Sequence, residues 1–154
     1  LPDVNRDLSV SDRNIQPPDS ALAVAISLLE PRMRTLLSEA LRIPSVSGKE
    51  EPFTRFISDR LRSSGFIIDL WETDESQLGG YPVARARHLP LAGRPTLVAK
   101  LKGTAAGKSL LFNAHSDVVP APHPERWILG PWDGHEKLGK YFGRGACDVK
   151  GALI

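Results

Sequence analysis

Several features that mark broad protein classes are scarce in this chain. It has a single cysteine, Cys147. No internal disulfide can form, so nothing marks an oxidised, secreted scaffold, and a cytoplasmic setting is expected. The cysteine itself is expected to be a small buried side chain rather than a reactive thiol. Net charge is only +2, from 20 basic and 18 acidic residues, with no long run of either sign. That balance argues against a nucleic-acid or anionic-membrane partner. No apolar stretch approaches the ~18 residues of a membrane helix. The nearest thing to a signal-peptide core is "ALAVAISLL", Ala21 to Leu29. It lies behind a mixed polar stretch with no basic leader directly before it, and is not read as a signal. The sequence opens at Leu1 rather than Met, as processing or a partial reading would leave it.

What is there is ordinary globular composition: 154 residues, 41% hydrophobic and 25% charged. That length suffices for one domain with a modest core. Residues 1–20 are polar and contain Pro-Pro, and read as a loose arm. From Leu22 apolar residues recur at helical spacing through Ile26, Leu29, Met33, Leu36, Leu37, Ala40 and Leu41. Pro31 damages a helix interior but suits a first turn, so a helix is expected from about Pro31 to Arg42, with a kinked extension upstream. Pro44 ends it. Ser47 or Gly48 opens a second helix, with Phe53, Phe56, Ile57 and Leu61 on one face and Gly65 as its stop. "GFIIDLWE", "PTLVAKLKG" and "KSLLFNAH" read as strands, and "DESQLGGYP" as a loop. The short link "GTAAG" predicts a hairpin between the last two strands. Helices and strands alternate over the first hundred residues, which gives an α/β class.

The third strand ends in "NAHSDVVP". Side chains two apart on a strand share a face, so His115 and Asp117 would point the same way. Open α/β sheets build their sites at such strand ends. A metal-bound histidine usually donates its other ring N–H to a carboxylate, a part Asp117 could take. Taken alone, a His-x-Asp triplet is also an ordinary surface or core histidine. A second cluster, "YFGRGACDVKG", sets Arg144, Asp148 and Lys150 among three glycines. Gly143 and Gly145 let the backbone turn tightly or approach a site. Asp148 could bridge two cations with its two oxygens, but a closed zinc site needs four ligands.

The order "HSDVVP", then "ERWILGPWDG" with Trp127 and Trp132, then "FGRGACDVKG" resembles the zinc metallopeptidase and deacylase family of acetylornithine deacetylase, succinyl-diaminopimelate desuccinylase and aminoacylase. "IPSVSGKE" is similar to that family's first loop and "SSGF" to the end of its second helix. The resemblance runs from about Ala21 to Ile154. It implies the N-terminal portion of a zinc-exopeptidase-like catalytic domain over 21–154, a mixed sheet with flanking helices, incomplete and without the lid or dimerisation domain. It implies a co-catalytic zinc pair, with cobalt or manganese as other metals such ligands accept. His115 would bind one metal, Asp117 would be the catalytic-site residue that orients His115, and Asp148 would bridge both metals. Cys147 falls at a variable position. Arg144 and Lys150 would be structural, paired with carboxylates near the site.

The implied chemistry is hydrolysis of an amide in an N-acyl amino acid or small peptide. Two zinc ions polarise the carbonyl and acidify a water, and a glutamate moves its proton to the leaving amine. In the family that glutamate, a neighbouring carboxylate ligand and a second histidine come after the point where this sequence stops. Glu125, Glu136, His88, His123 and His135 do not match those positions and read as surface or loop residues. The 154 residues alone are therefore expected to lack hydrolase activity, and to be marginally stable or to associate through uncovered sheet. A homo-oligomer is possible for the full-length product. The alternative is a non-catalytic chain, an interaction module lacking the general base. An unrelated binding module, with both motifs accidental, would place His115 and Asp148 far apart.

Overall fold

The computed structural model describes residues 20–78, 90–104 and 107–154. The expected arm over 1–20 lies outside them except for Ser20, as do His88, part of the 74–82 loop and residues 105–106 of the predicted hairpin link. Two compact units divide the chain, Leu1–Arg32 and Met33–Ile154. Helix α1, Ser20–Leu41, is longer than Pro31 predicts and continues through it. Its register of apolar residues extends on both sides of the proline, which favours one helix over two. In the first unit Leu22, Val24, Ile26, Leu28 and Leu29 are exposed, and Ser27 Oγ donates to the Ala23 carbonyl at 3.0 Å.

In the second unit the end of α1 supplies the buried Ala40 and Leu41. Helix α2, Glu51–Ser63, carries Phe53 and Ile57 inward at the predicted spacing. Its end is a Schellman turn: Gly65, at φ 88°, donates to Arg62 O at 3.0 Å and Phe66 N to Leu61 O at 3.1 Å. Strand β1, Ile67–Trp71, pairs antiparallel with β2, Thr96–Lys100, in the register Ile67 to Lys100. One face, Ile68, Leu70, Leu97 and Ala99, is half-buried against α2. Ala40, Phe53 and Ile57 form the core, with Ile43, Phe56, Leu61, Leu97, Leu153 and Ile154 packed on it.

Two sequence expectations are corrected here. First, "KSLLFNAH" is not a strand. Residues 107–117 have no ladder partner among the described residues, and Leu110, Leu111 and Phe112 are 78%, 88% and 84% exposed. An apolar, strand-prone run forms a strand only when a neighbour takes up its N–H and C=O groups. Second, the hairpin lies further on. Strand β3, His135–Lys137, pairs with β4, Lys140–Phe142, across Leu138 and Gly139, both at positive φ, as a two-residue primed turn requires. In place of one mixed sheet, the described residues hold helices with two small antiparallel sheets. A short helix α3, Gly151–Leu153, closes the chain. Among the described residues no helix is long and apolar enough to cross a membrane.

Candidate metal centre

Three loops meet around His115. The first is 44–50, between α1 and α2. It is stitched to the second by a parallel bridge at Val46 and Val118: Ser47 N donates to Val118 O at 3.1 Å and Val118 N to Ser45 O at 2.8 Å. Val118 is buried, so the bridge is a fixed point for the residues just before it. The third loop enters at Gly145, φ 88°, where a Cβ would stand 2.7 Å from Val118 Cγ1. Only glycine allows both the left-handed turn and that close approach. A wound segment, Ala146–Lys150, follows, and Asp148 within it departs from helical angles at φ −127° and ψ 96°. The Asp148–Val149 peptide is cis.

This scaffold brings the predicted residues together. His115 Nε2 lies 2.8 Å from Asp148 Oδ1, across 33 positions of sequence. His115 Nδ1 lies 2.9 Å from the Asp117 carbonyl oxygen and 3.3 Å from Asp117 Oδ1. Both of those are acceptors, so Nδ1 carries a hydrogen and donates it. In the neutral ring Nε2 is then an acceptor facing a carboxylate oxygen. Two lone pairs at 2.8 Å require a positive charge between them, either a proton or a metal ion. The first option raises the His115 pKa above the ordinary imidazole value, chiefly through the hydrogen bond to Asp148 and next through the Asp117 carbonyl. The second option fits the spacing: two ligand atoms ~2 Å from one zinc stand about 3 Å apart. His115 is half exposed and Asp148 largely so, leaving the charge position open to solvent. Asp117 Oδ2 accepts a 2.6 Å hydrogen bond from Ser47 Oγ. The spacing predicts Ser47 only as a helix opener, and nothing in it points to this contact with a residue 70 positions away. The sole local signal was its place in "IPSVSGKE".

The remaining motif residues hold the loops. Lys150 is buried, and Nζ donates to Ala40 O at 2.9 Å and Ile43 O at 2.6 Å, satisfying carbonyls at the end of α1. It also lies 4.4 Å from the Phe53 ring centre and 6.0 Å from that of Trp132. Arg144 sits 5.1 Å over Trp127. The partners shown for these two cations are rings and carbonyls rather than the expected carboxylates. Cys147, expected to be buried, is exposed. The buried residue of its segment is Lys150 instead. His123 pairs with Glu125 at 3.1 Å, and His135 stands exposed on β3, so neither joins the site. Among the described residues no group of three or more His, Cys, Asp or Glu gathers to hold a metal. Two open depressions, of about 510 and 480 Å³, lie elsewhere, one lined by Arg42, Trp132, Asp133 and His135 and the other beside Pro44, Lys49 and Gly93.

Residues 111–154, which span the His115 loop and the Asp148 loop, match peptidase family M20/M25/M40. The chain resembles that family. It is 36% identical over 118 residues to a succinyl-diaminopimelate desuccinylase of Methylorubrum extorquens, covering 76% of this chain and 27% of that protein. It is 31% identical over 119 residues to the Variovorax paradoxus protein of the same name, covering 77% and 27%. It is 34% identical over 122 residues to N-formyl-4-amino-5-aminomethyl-2-methylpyrimidine deformylase of Bacillus subtilis, covering 78% and 24%. The chain spans about a quarter of the length of these relatives. Their names share one theme, removal of an acyl group, succinyl in two and formyl in the third.

Proposed function

We propose that this chain supplies the first ligands of a divalent metal centre for amide hydrolysis of the M20 type, on an N-acyl amino acid or small peptide. The observation that carries the reading is the facing of His115 Nε2 and Asp148 Oδ1 at 2.8 Å, with Nδ1 already committed to Asp117. His115 and Asp148 would hold zinc, or cobalt or manganese in its place, and Asp117 would orient the imidazole. When bound, such ions polarise an amide carbonyl and lower the pKa of water. The chain's own part is to present one neutral imidazole nitrogen and one carboxylate at a solvent-open position, and to keep the imidazole from rotating. Residues 21–154 act in this reading as one portion of a catalytic domain. The remaining ligands and the general base come from outside the described residues.

The test is direct. Cobalt titrated into the purified chain is expected to bind weakly, since two protein ligands are offered, and to lose that binding in His115→Ala and in Asp148→Asn. Equal binding by the parent and both variants would overturn the metal assignment. Amine release from N-formyl, N-acetyl and N-succinyl amino acids is expected to be absent for these 154 residues by themselves. Metal-dependent turnover by them would show that the general base lies within the chain.

A second reading follows from the lack of a third ligand among the described residues: a non-catalytic interaction module with an M20-type loop pair. It predicts that metal binding and turnover stay absent even when the chain is assayed with further polypeptide supplying carboxylates.

A further inference from the structure

We infer that Ser47 is a positioning residue for the ligand nitrogen of His115, acting through the Asp117 carboxylate. This rests on the functional reading above. A carboxylate turns broadly about its last torsion, so a single contact to His115 Nδ1 would not fix it. Ser47 Oγ donates to Asp117 Oδ2 at 2.6 Å, a short bond of the charge-assisted kind. With Oδ2 held there, Oδ1 is the oxygen left facing Nδ1, at 3.3 Å. The hydroxyl is itself held on a frame, because Ser47 N and Val118 N both bond across the Val46–Val118 bridge. Loop 44–50 thereby reaches the imidazole through a chain of three side chains: Ser47, Asp117, His115.

The consequence is a choice of tautomer. The Asp117 carbonyl accepts from Nδ1 at 2.9 Å and the Oδ1 charge stands 3.3 Å away, which together favour the hydrogen there and leave Nε2 for a cation between it and Asp148. Without the Ser47 hydroxyl, Asp117 is free to turn Oδ1 away, and that charge no longer favours the Nδ1 hydrogen. The competing tautomer, with the hydrogen on Nε2, donates to Asp148 Oδ1 and blocks the nitrogen that would bind metal. Partners of this outer kind are worth 10–100-fold in metal affinity. The carbonyl at 2.9 Å remains in any case, which places the expected loss at the low end, about tenfold.

The experiment compares the parent chain with Ser47→Ala, Ser47→Thr and Lys49→Ala, an exposed neighbour in the same loop. Three readouts are taken: helical circular dichroism, cobalt affinity from its visible absorption, and the ¹⁵N shifts of His115 in the metal-free chain at pH 9, the last with Asp148→Asn added throughout so that no carboxylate draws the hydrogen to Nε2, and assigned by their loss in His115→Ala. Ser47→Ala is expected to keep its helical signal, bind cobalt about tenfold more weakly and move the ¹⁵N shifts toward the Nε2–H form. Ser47→Thr restores both, and Lys49→Ala changes neither. Unchanged ¹⁵N shifts in a folded Ser47→Ala chain would overturn the proposal, whatever the cobalt result. If the parent binds no cobalt, or binds it equally after His115→Ala, the metal reading fails, and the tautomer comparison still decides the part of Ser47. Should Ser47→Ala not fold, Ser47→Cys, whose thiol is a weak donor, carries the same comparison.

Discussion

Lys150 shows how a single residue can set the cost of a loop. The residue is 1% exposed, and its ammonium is met by two carbonyls and two aromatic rings. Burial pushes its pKa from 10.5 down to about 8. An unfolded lysine keeps its proton up to its ordinary value, so between about 8 and 10.5 the unfolded chain binds more protons than the folded one. Stability therefore rises with pH across that window, and below it the folded state carries the whole cost of a buried charge. Lys150→Met relieves that cost but takes a donor from Ile43 O and from Ala40 O, which keeps only the Ile43 N–H at 3.3 Å. The two effects oppose each other, and the lost hydrogen bonds are expected to win by about 1 kcal/mol at pH 7. Urea melts at pH 7 and pH 9.5 check both points: the gap between parent and variant should widen at the higher pH. A gap that narrows would reverse the sign assigned to this lysine.

At the scale of elements, the tie between loop 44–50 and the turn before β2 carries most weight. Glu50 is nearly buried, with its side chain 4% exposed, and its Oε1 lies 2.7 Å from an Arg94 guanidinium nitrogen. Arg94 Nε adds bonds of 3.0 and 3.1 Å to the two oxygens, and Gly48 N donates to Oε1 at 2.8 Å. Arg94→Met would leave an uncompensated buried carboxylate, which costs about 3 kcal/mol or more. A chemical-denaturation midpoint unchanged by Arg94→Met would show that the pair contributes nothing. Neither this pair nor the Ser47–Asp117 bond is written in any local period, because each joins residues far apart in sequence. Helix α2 is different. Phe53, Phe56, Ile57 and Leu61 announce its inner face and Gly65 its end, since both signals are local. Strands β1 and β2 are legible as short apolar, strand-prone runs, but their pairing with each other is not. The nearness of His115 to Asp148 is legible only because two motifs in fixed order point to one place. Lys150 was not, because a lysine in a glycine-rich loop ordinarily faces water. The upstream half of α1 misled in another way: its apolar period marks a face to be covered, not the neighbour that covers it.

At the scale of the whole molecule, the balance between covered and uncovered apolar surface decides behaviour in solution. Leu110, Leu111 and Phe112 stand in a run that binds no neighbouring strand among the described residues, and Val98, Leu101 and Ile128 are exposed as well. Exposed, strand-prone apolar runs without a proline template pairing with another chain. The core that opposes this is small, with Ala40, Phe53 and Ile57 at its centre. The isolated chain is therefore expected to associate as its concentration rises. Leu111→Thr with Phe112→Thr keeps strand propensity but removes most of the apolar area from the run, and neither side chain is packed in the core. Light scattering on the eluting chain should give a mass that climbs with concentration for the parent and falls toward the 16.8 kDa of one chain for the double variant. A parent that stays monomeric and melts in one cooperative step would show that the run is tolerable in water as it stands. Association unchanged in the double variant would instead place the contact elsewhere, with the exposed apolar residues of α1 the next to replace.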